Sequence, residues 1–385
     1  MELPFARSER STLGLEWELA LVDHHTGDLR PVADQVLEAC RRAEPSCGPD
    51  DDHPYVKQEL LTNTVEVITD VCRSVGEGIA QLRQVAGLVE EICRPLGVEL
   101  YSQGSHPFAA PRQQPVTDKE RYAELIRRTQ WWGRQMVIYG VHVHVGLERR
   151  AYAVPAMNTL TAFHPHFQAL TASSPFWSGE DTGYASQRAL MFQQLPTAGL
   201  PFQLSDWGGF ETYVRDMLRT GVIDDVTEVR WDVRPVPRLG TVEMRIADGL
   251  ATLEEIAAIA ALTQCLVHRT VEDLEAGRET PRMPQWYAQE NKWRAARYGM
   301  EAIIILNADG DEMLVTEHLE KVLEDLAPIA EKLGCDEELA GVRTMMAGEV
   351  GYQRQRRVAA AQGGDLRGVV LDSTDLTRRS IRHEL

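Results

Sequence analysis

The sequence predicts an α+β protein with a largely antiparallel sheet, and three observations lead there. Stretches of period-two alternation and stretches of helical period are mixed along the chain without a regular βαβα beat. Polar pairs two residues apart sit inside strand-like segments: Glu16-Trp17-Glu18, His142-Val143-His144 and Glu243-Met244-Arg245. No repeat, low-complexity linker or composition break divides the chain, so residues 1–385 are expected to form one domain.

Thr12–Val22 alternates and is rich in strand formers; His24-His25-Thr26-Gly27-Asp28 then predicts a turn into a second short strand. Asp34–Arg42 predicts a short amphipathic helix, and Pro45–Pro54 a loop. Tyr55–Ile68 predicts two strand pieces around Thr62-Asn63-Thr64. Apolar residues from Ile79 to Ile92 recur at helical spacing within Val75–Leu96, and Gly97 marks the end. Val98–Ser102 predicts a strand, Lys119–Arg134 a helix, Gln135–Leu147 the clearest strand, and Val154–Ser173 a helix. Ser174–Gln203, rich in Pro, Gly and Ser, predicts a long ordered loop. Trp207–Leu218 predicts a helix, a strand is expected to begin at Val229–Asp232, and Thr241–Ala247 predicts another. Thr252 is expected to cap a helix running to Leu274, with Glu254 and Glu255 in its first turn. Helices follow at Trp286–Gly299, Thr316–Leu333 and Glu337–Ala361, the C-terminal ones falling within 313–361.

The chain is 43% hydrophobic and 25% charged, ordinary for a soluble globular protein. A formal net charge of −18 argues against nucleic acid, which wants a basic footprint, and against anionic membrane surfaces. The six cysteines show no CxxC spacing, so they read as reduced thiols of a cytoplasmic protein. The N-terminal residues carry no apolar secretory segment, and the longest apolar patches are too short to span a bilayer.

The polar pairs carry the chemistry. On a strand, residues two apart share a face. If the strands are neighbours, Glu16, Glu18, His142, His144, Glu243 and Arg245 converge, with Glu59 and Glu66 from the Tyr55–Ile68 segment. Two carboxylates about 4 Å apart repel by roughly 4 kcal/mol at an effective dielectric near 20. Converging glutamates therefore need raised pKa values or cations among them. Oxygen donors with an occasional imidazole suit Mg²⁺ or Mn²⁺. Each motif alone has a blander explanation. An E-x-E strand is usually a solvated face, an H-x-H strand also suits zinc, and Glu243 with Arg245 could be a structural pair. Trp131-Trp132, His106, His24-His25 and His164-Pro165-His166 read as core, turn or surface features.

All four motifs in this order resemble the glutamine synthetase/glutamate–cysteine ligase superfamily, and more closely the bacterial carboxylate–amine ligases of glutamate–cysteine ligase type 2. The matching stretches are Gly14–Asp23, Val65–Ser74, Gly104–Phe108, Gly140–Leu147, Ser174–Arg188, Trp231–Asp248 and Asn291–Gly299, covering roughly residues 10–300. The resemblance implies a glutamine synthetase-like catalytic domain, a curved half-barrel sheet backed by helices. It implies Glu16, Glu18, Glu59, Glu66, His142 and Glu243 as metal ligands. It implies His144 near ATP phosphate or a metal-bound water, and Glu243 bridging metal and phosphate. Arg245 would stabilise the transferring phosphoryl group, with Arg234 as a further catalytic candidate. Arg238 and Arg188 are candidates for phosphate and substrate carboxylate, and Arg297 for the nucleotide. Trp17 replaces another acid or an apolar residue of many relatives, at a position expected to face away from the site.

The implied reaction joins the γ-carboxylate of glutamate to an amine, cysteine among the candidates, through an acyl phosphate, using ATP and Mg²⁺ or Mn²⁺. Three alternatives stay open: γ-glutamylation of another amine, a metal hydrolase built on the H-x-H, and a non-catalytic binding or regulatory protein. No P-loop or Rossmann glycine pattern is present, which fits a nucleotide lying on a sheet. The partners implied are small molecules, and the oligomeric state is left open, a homo-oligomer included.

Overall fold

A computed structural model describes residues 2–48 and 51–385. Its strands are β1 (Leu13–Asp23), β2 (Val56–Gln58), β3 (Thr64–Ile68), β4 (Val98–Tyr101), β5 (Val141–Gly146), β6 (Phe176–Trp177), β7 (Glu180–Asp181), β8 (Val233–Val236), β9 (Thr241–Met244), β10 (Ile303–Ile305) and β11 (Glu312–Leu314). Among the described residues, seven strands form one sheet in the order β2-β3-β1-β5-β9-β8, with β4 pairing the C-terminal end of β1. Every pairing is antiparallel. β6–β7 and β10–β11 are separate two-stranded hairpins.

Strand alternation divides the sheet into two unlike faces. Leu15, Trp17 and Leu19 of β1, Val65 and Val67 of β3, Val141, Val143 and Val145 of β5, and Val242 and Met244 of β9 are all buried in one core cluster. Helices cover that face: Val75–Cys93 packs on β1, Leu253–Glu275 on β5, and Ala153–Ala162 on β8 and β9. Leu253–Glu275 is buried nearly all round, as expected of a helix enclosed by others. A capping box between Thr252 and Glu255 starts it, as the sequence predicts. Trp17 is fully buried and donates its indole N–H to Ser102 Oγ at 2.8 Å, so it faces away from the polar side.

The differences from expectation are local. The strand expected over Gln135–Leu147 is ordered as strand only from Val141 to Gly146. The helix expected over Lys119–Arg134 stops at Thr129, where Gln130 has φ +50. Val154–Ser173 breaks into Ala153–Ala162 and His164–Thr171, because Pro165 fits a helix first turn but not a helix interior. The expected strand after the His24–Asp28 turn is a single bridge, Val22 to Leu29. Glu337–Ala361 is two helices, Asp336–Ala347 and Gly351–Ala361, and a further helix follows at Leu366–Ile381. Pro49 and Asp50 of the expected Pro45–Pro54 loop lie outside the described residues.

Candidate active site

The other sheet face carries the chemistry, and the strand register states why. Lys57 pairs with Glu66, Glu66 with Glu18, Glu16 with His142, His144 with Glu243, and Glu243 with Arg234. Directly opposed residues on one face bring their side chains together. Polar groups from β2, β3, β1, β5, β9 and β8 therefore form one band across the sheet. The band floors a cleft of about 1700 Å³ lined by Glu16, Glu18, Glu59, Glu66, His142, Arg188, Arg234, Arg238 and Arg245, among others.

At one end the charges are paired. Glu16 is bonded by His142 Nδ1 at 2.8 Å and His144 Nε2 at 3.1 Å. His144 Nδ1 is 3.1 Å from Thr241 Oγ1, and its Nε2 is 3.8 Å from Glu243. Glu243 is fully buried, yet it accepts from Arg234 Nε at 2.6 Å and from Arg245 Nη1. Arg234 is anchored by donating to the carbonyls of Thr227 and Val229, each at 2.8 Å. Burial opposes the ionised form of Glu243, but Arg234, Arg245 and His144 outweigh it and hold the carboxyl well below the ordinary range. Burial likewise opposes ionisation of Glu16, and the hydrogen bonds from His142 and His144 overcome it. Burial and then Arg245 push His142 down, whereas Glu243 and Glu16 outweigh burial and push His144 up.

At the other end no arginine or lysine bonds the carboxylates among the described residues, and the nearby Arg121 and Arg245 only partly offset their charge. Glu18, Glu59 and Glu66 bring oxygen atoms within 4.8 Å of one another. Desolvation, then the neighbouring Glu18, pushes Glu59 up to about 7. Desolvation, then Glu16 and Glu59, pushes Glu66 well above the carboxylate range. Two further groups satisfy the same 4.8 Å condition: Glu16, His144 and Glu243, and Glu16, Glu66 and His142. These donor sets, oxygen-rich with imidazole and without sulfur, fit a hard divalent cation.

Eleven of the twelve residues singled out in the sequence lie in this band or line its cleft. His144 stands among carboxylates rather than among the cleft arginines. Arg238 sits exposed in the β8–β9 turn and lines the cleft. Arg297 is elsewhere: it donates to the Gly183 carbonyl and stacks over Tyr184 and Tyr298, away from the cleft lining. The sequence did not single out Lys57, Arg121, Arg230 or Thr241. Only Lys57 carried a signal, since it lies two residues before Glu59 in an alternating stretch. Thr241 is brought in by register, Arg230 by a loop and Arg121 by the Glu120–Thr129 helix.

A sheet with one apolar face under helices, and a carboxylate–imidazole–arginine band on the other, defines a ligase of the glutamine synthetase-like fold. The chain belongs to glutamate–cysteine ligase family 2, which it matches over residues 12–372. It is similar to a protein of Arthrobacter sp. (strain FB24) provisionally named glutamate–cysteine ligase 2-1, with 62% identity over 372 residues and 97% of each chain covered. It is similar as well to the provisionally named glutamate–cysteine ligase 2-2 of Paenarthrobacter aurescens (strain TC1), with 59% identity, 98% of this chain and 99% of that one covered. The solved glutamate–cysteine ligase of Francisella tularensis in complex with AMP shares the fold, with a TM-score of 0.69 at 12% identity, over 99% of this chain and 90% of that one. Among the described residues, no helix is long and apolar enough to cross a membrane.

Proposed function

We propose that this enzyme joins the γ-carboxylate of glutamate to an amine, cysteine first among the candidates, at the expense of ATP. The observation that carries the reading is the juxtaposition, on one sheet face, of a partly compensated carboxylate group with a buried glutamate held between two arginines. Acid and amine do not condense usefully in water. In the proposed sequence a γ-carboxylate oxygen attacks the γ-phosphorus of ATP and ADP leaves. The amine nitrogen then attacks the acyl carbon, phosphate departs, and the nitrogen loses a proton.

Phosphoryl transfer asks the protein for positioning and charge stabilisation more than for covalent help. Arg245 keeps N–H groups beyond the one bonded to Glu243; its Nε is buried and without a hydrogen-bond partner among the described residues. In the proposed reaction this guanidinium, held by Glu243, would contact a phosphoryl oxygen. Arg234 is fixed by three acceptors and stiffens the same point. Glu18, Glu59 and Glu66 would hold Mg²⁺ or Mn²⁺, which when bound neutralises polyphosphate charge. Arg238 at the cleft rim extends the positive lining toward the nucleotide. Six cysteines without a disulfide support a cytoplasmic setting.

The test is a panel of amines, cysteine among them, offered with glutamate, ATP and Mg²⁺ and scored for ADP and for the amide product. ADP formed only when acid and amine are both present supports the ligase. ADP with a different amine moves the acceptor and keeps the reaction. No ADP with any pair overturns the proposal.

A further inference from the structure

Arg188 is a buried guanidinium that no carboxylate among the described residues pairs directly. It is 5% exposed. Its Nη1 donates to the backbone carbonyl of Arg245 at 3.0 Å, and its Nη2 points at His142 Nε2 at 3.4 Å. The second contact is long, and a Glu18 oxygen lies 4.0 Å from the same His142 Nε2. His142 Nδ1 is bonded to Glu16, so Nε2 is the ring nitrogen left to face the guanidinium. One side chain thus ties β5 to the segment that follows β9.

Two devices place it there. The first is space. A Cβ on Gly140 would lie 2.1 Å from Arg188 Nη2, so the guanidinium occupies the volume that any other residue at 140 would fill. The Gly140 backbone N–H meanwhile donates to Glu18. The second is a pinned loop. Asp248 accepts from Ser173 N at 3.0 Å, Ser174 Oγ at 2.7 Å and Ser186 Oγ at 3.1 Å. Ser174 Oγ in turn accepts from the backbone N–H groups of Gln187 at 2.6 Å and Arg188 at 3.0 Å. A buried carboxylate and two serines hold both ends of the 174–188 segment, and Asp248 adds counter-charge near the guanidinium.

We propose that Arg188 is a positioning residue, delivered by the 174–188 segment through the gap at Gly140, that fixes His142 and the Arg245 backbone in place relative to Glu16. The proposal rests on the ligase reading for its effect on turnover, but its effect on metal binding does not. A cation held by the neighbouring carboxylates gains nothing from Arg188, and loss of a nearby positive charge favours it.

The experiment compares Arg188→Ala and Gly140→Ala with the wild-type enzyme in turnover, thermal melting and Mn²⁺ titration. In Arg188→Ala, kcat is expected to fall about 100-fold while KM for ATP stays within about threefold. Mn²⁺ affinity is expected to hold or tighten, and millimolar guanidinium is expected to restore part of kcat. Gly140→Ala should lower kcat in the same way without rescue, because the space is filled. Retention of kcat within about threefold in Arg188→Ala, or an Mn²⁺ affinity that falls in step with kcat, overturns the proposal. If Arg188→Ala does not fold, Gly140→Ala decides, and retained turnover there overturns it. If the wild-type protein makes no ADP, the ligase reading fails on its own. Mn²⁺ titration then decides alone: loss of more than about tenfold in affinity in Arg188→Ala rejects the positioning role, and unchanged affinity supports it.

Discussion

At the β9 end of the cleft, Glu243 is completely buried and still ionised, because Arg234 and Arg245 lie on either side of it. At the β3 end, Glu18, Glu59 and Glu66 stand within 4.8 Å of one another, and no guanidinium bonds any of them among the described residues. Both ends use the same carboxylate side chains on the same face of the same sheet. One end is electrostatically complete as the chain folds. The other carries an excess of negative charge that protons or cations must relieve. A site divided this way keeps its fixed positive charge where a phosphoryl group would transfer. Its capacity for added positive charge lies where a polyphosphate would need it.

The largest expected effects separate the two ends by the sign of a stability change. Glu243→Gln and Glu66→Gln should each lower ADP release by about 10³-fold or more, as loss of electrostatic stabilisation in a closed site does. Their metal-free stabilities should move in opposite directions. Glu243→Gln leaves two arginines around a neutral amide and should cost about 3 kcal/mol or more. Glu66→Gln removes one of three repelling acids and should stabilise by about 1 kcal/mol. Urea unfolding in EDTA measures both. Two variants that shift the same way would erase the distinction between the ends.

Dependence on pH sharpens it. Glu59 is pushed up to about 7 by desolvation and by Glu18. A carboxyl whose folded pKa is raised binds more protons folded than unfolded between about 4.5 and 7. Its contribution to stability is full below that window and is lost as pH rises through it. Glu16 and Glu243 have the opposite sign, contributing above the ordinary carboxylate pKa and losing that contribution in acid. Metal-free protein should therefore lose on the order of 2 kcal/mol between pH 5 and pH 7.5 from the Glu59 end. Mg²⁺ or Mn²⁺ should abolish most of that loss, and Glu59→Gln should flatten it. The readout is the urea midpoint at each pH, with EDTA and with metal. A midpoint that does not fall with pH in EDTA would mean that the carboxylate end is compensated after all.

Much of this was legible because strand alternation writes directly onto sheet faces. Glu16, Glu18, His142, His144 and Glu243 are spaced by two, and one register joins them. Trp17 showed its direction by the same rule. Glu59 and Glu66 needed the turn at Thr62-Asn63-Thr64, which the sequence also displays. Arginines were harder. A long side chain reaches several ångströms from a loop, so spacing says little about where its guanidinium goes. Arg188 is set by Gly140, remote in sequence, and by Asp248, more remote still. Neither shows as a motif with it. The three-residue strands of the β10–β11 hairpin are too short to show a period, and the Leu366–Ile381 helix, though amphipathic, was not read from the sequence.

Arg297 tests how far resemblance alone should be carried when geometry points elsewhere. The sequence offers it as one of several arginines for the nucleotide, and the side chain donates to the Gly183 carbonyl and lies over the rings of Tyr184 and Tyr298. Arg356 holds the same loop from the other side, donating to Asp181 at 2.7 Å and to the Tyr184 carbonyl at 3.1 Å. Arg297 therefore contacts the segment after the β6–β7 hairpin. Its removal forfeits two cation–π contacts and one hydrogen bond, together about 2 kcal/mol at a half-exposed site. Arg297→Ala should lower the urea midpoint slightly and leave kcat and KM for ATP within about twofold of wild type. Arg234→Ala, measured beside it, should lose nearly all turnover. A KM for ATP raised about tenfold or more in Arg297→Ala would extend the arginine end of the cleft to the hairpin and redraw its boundary.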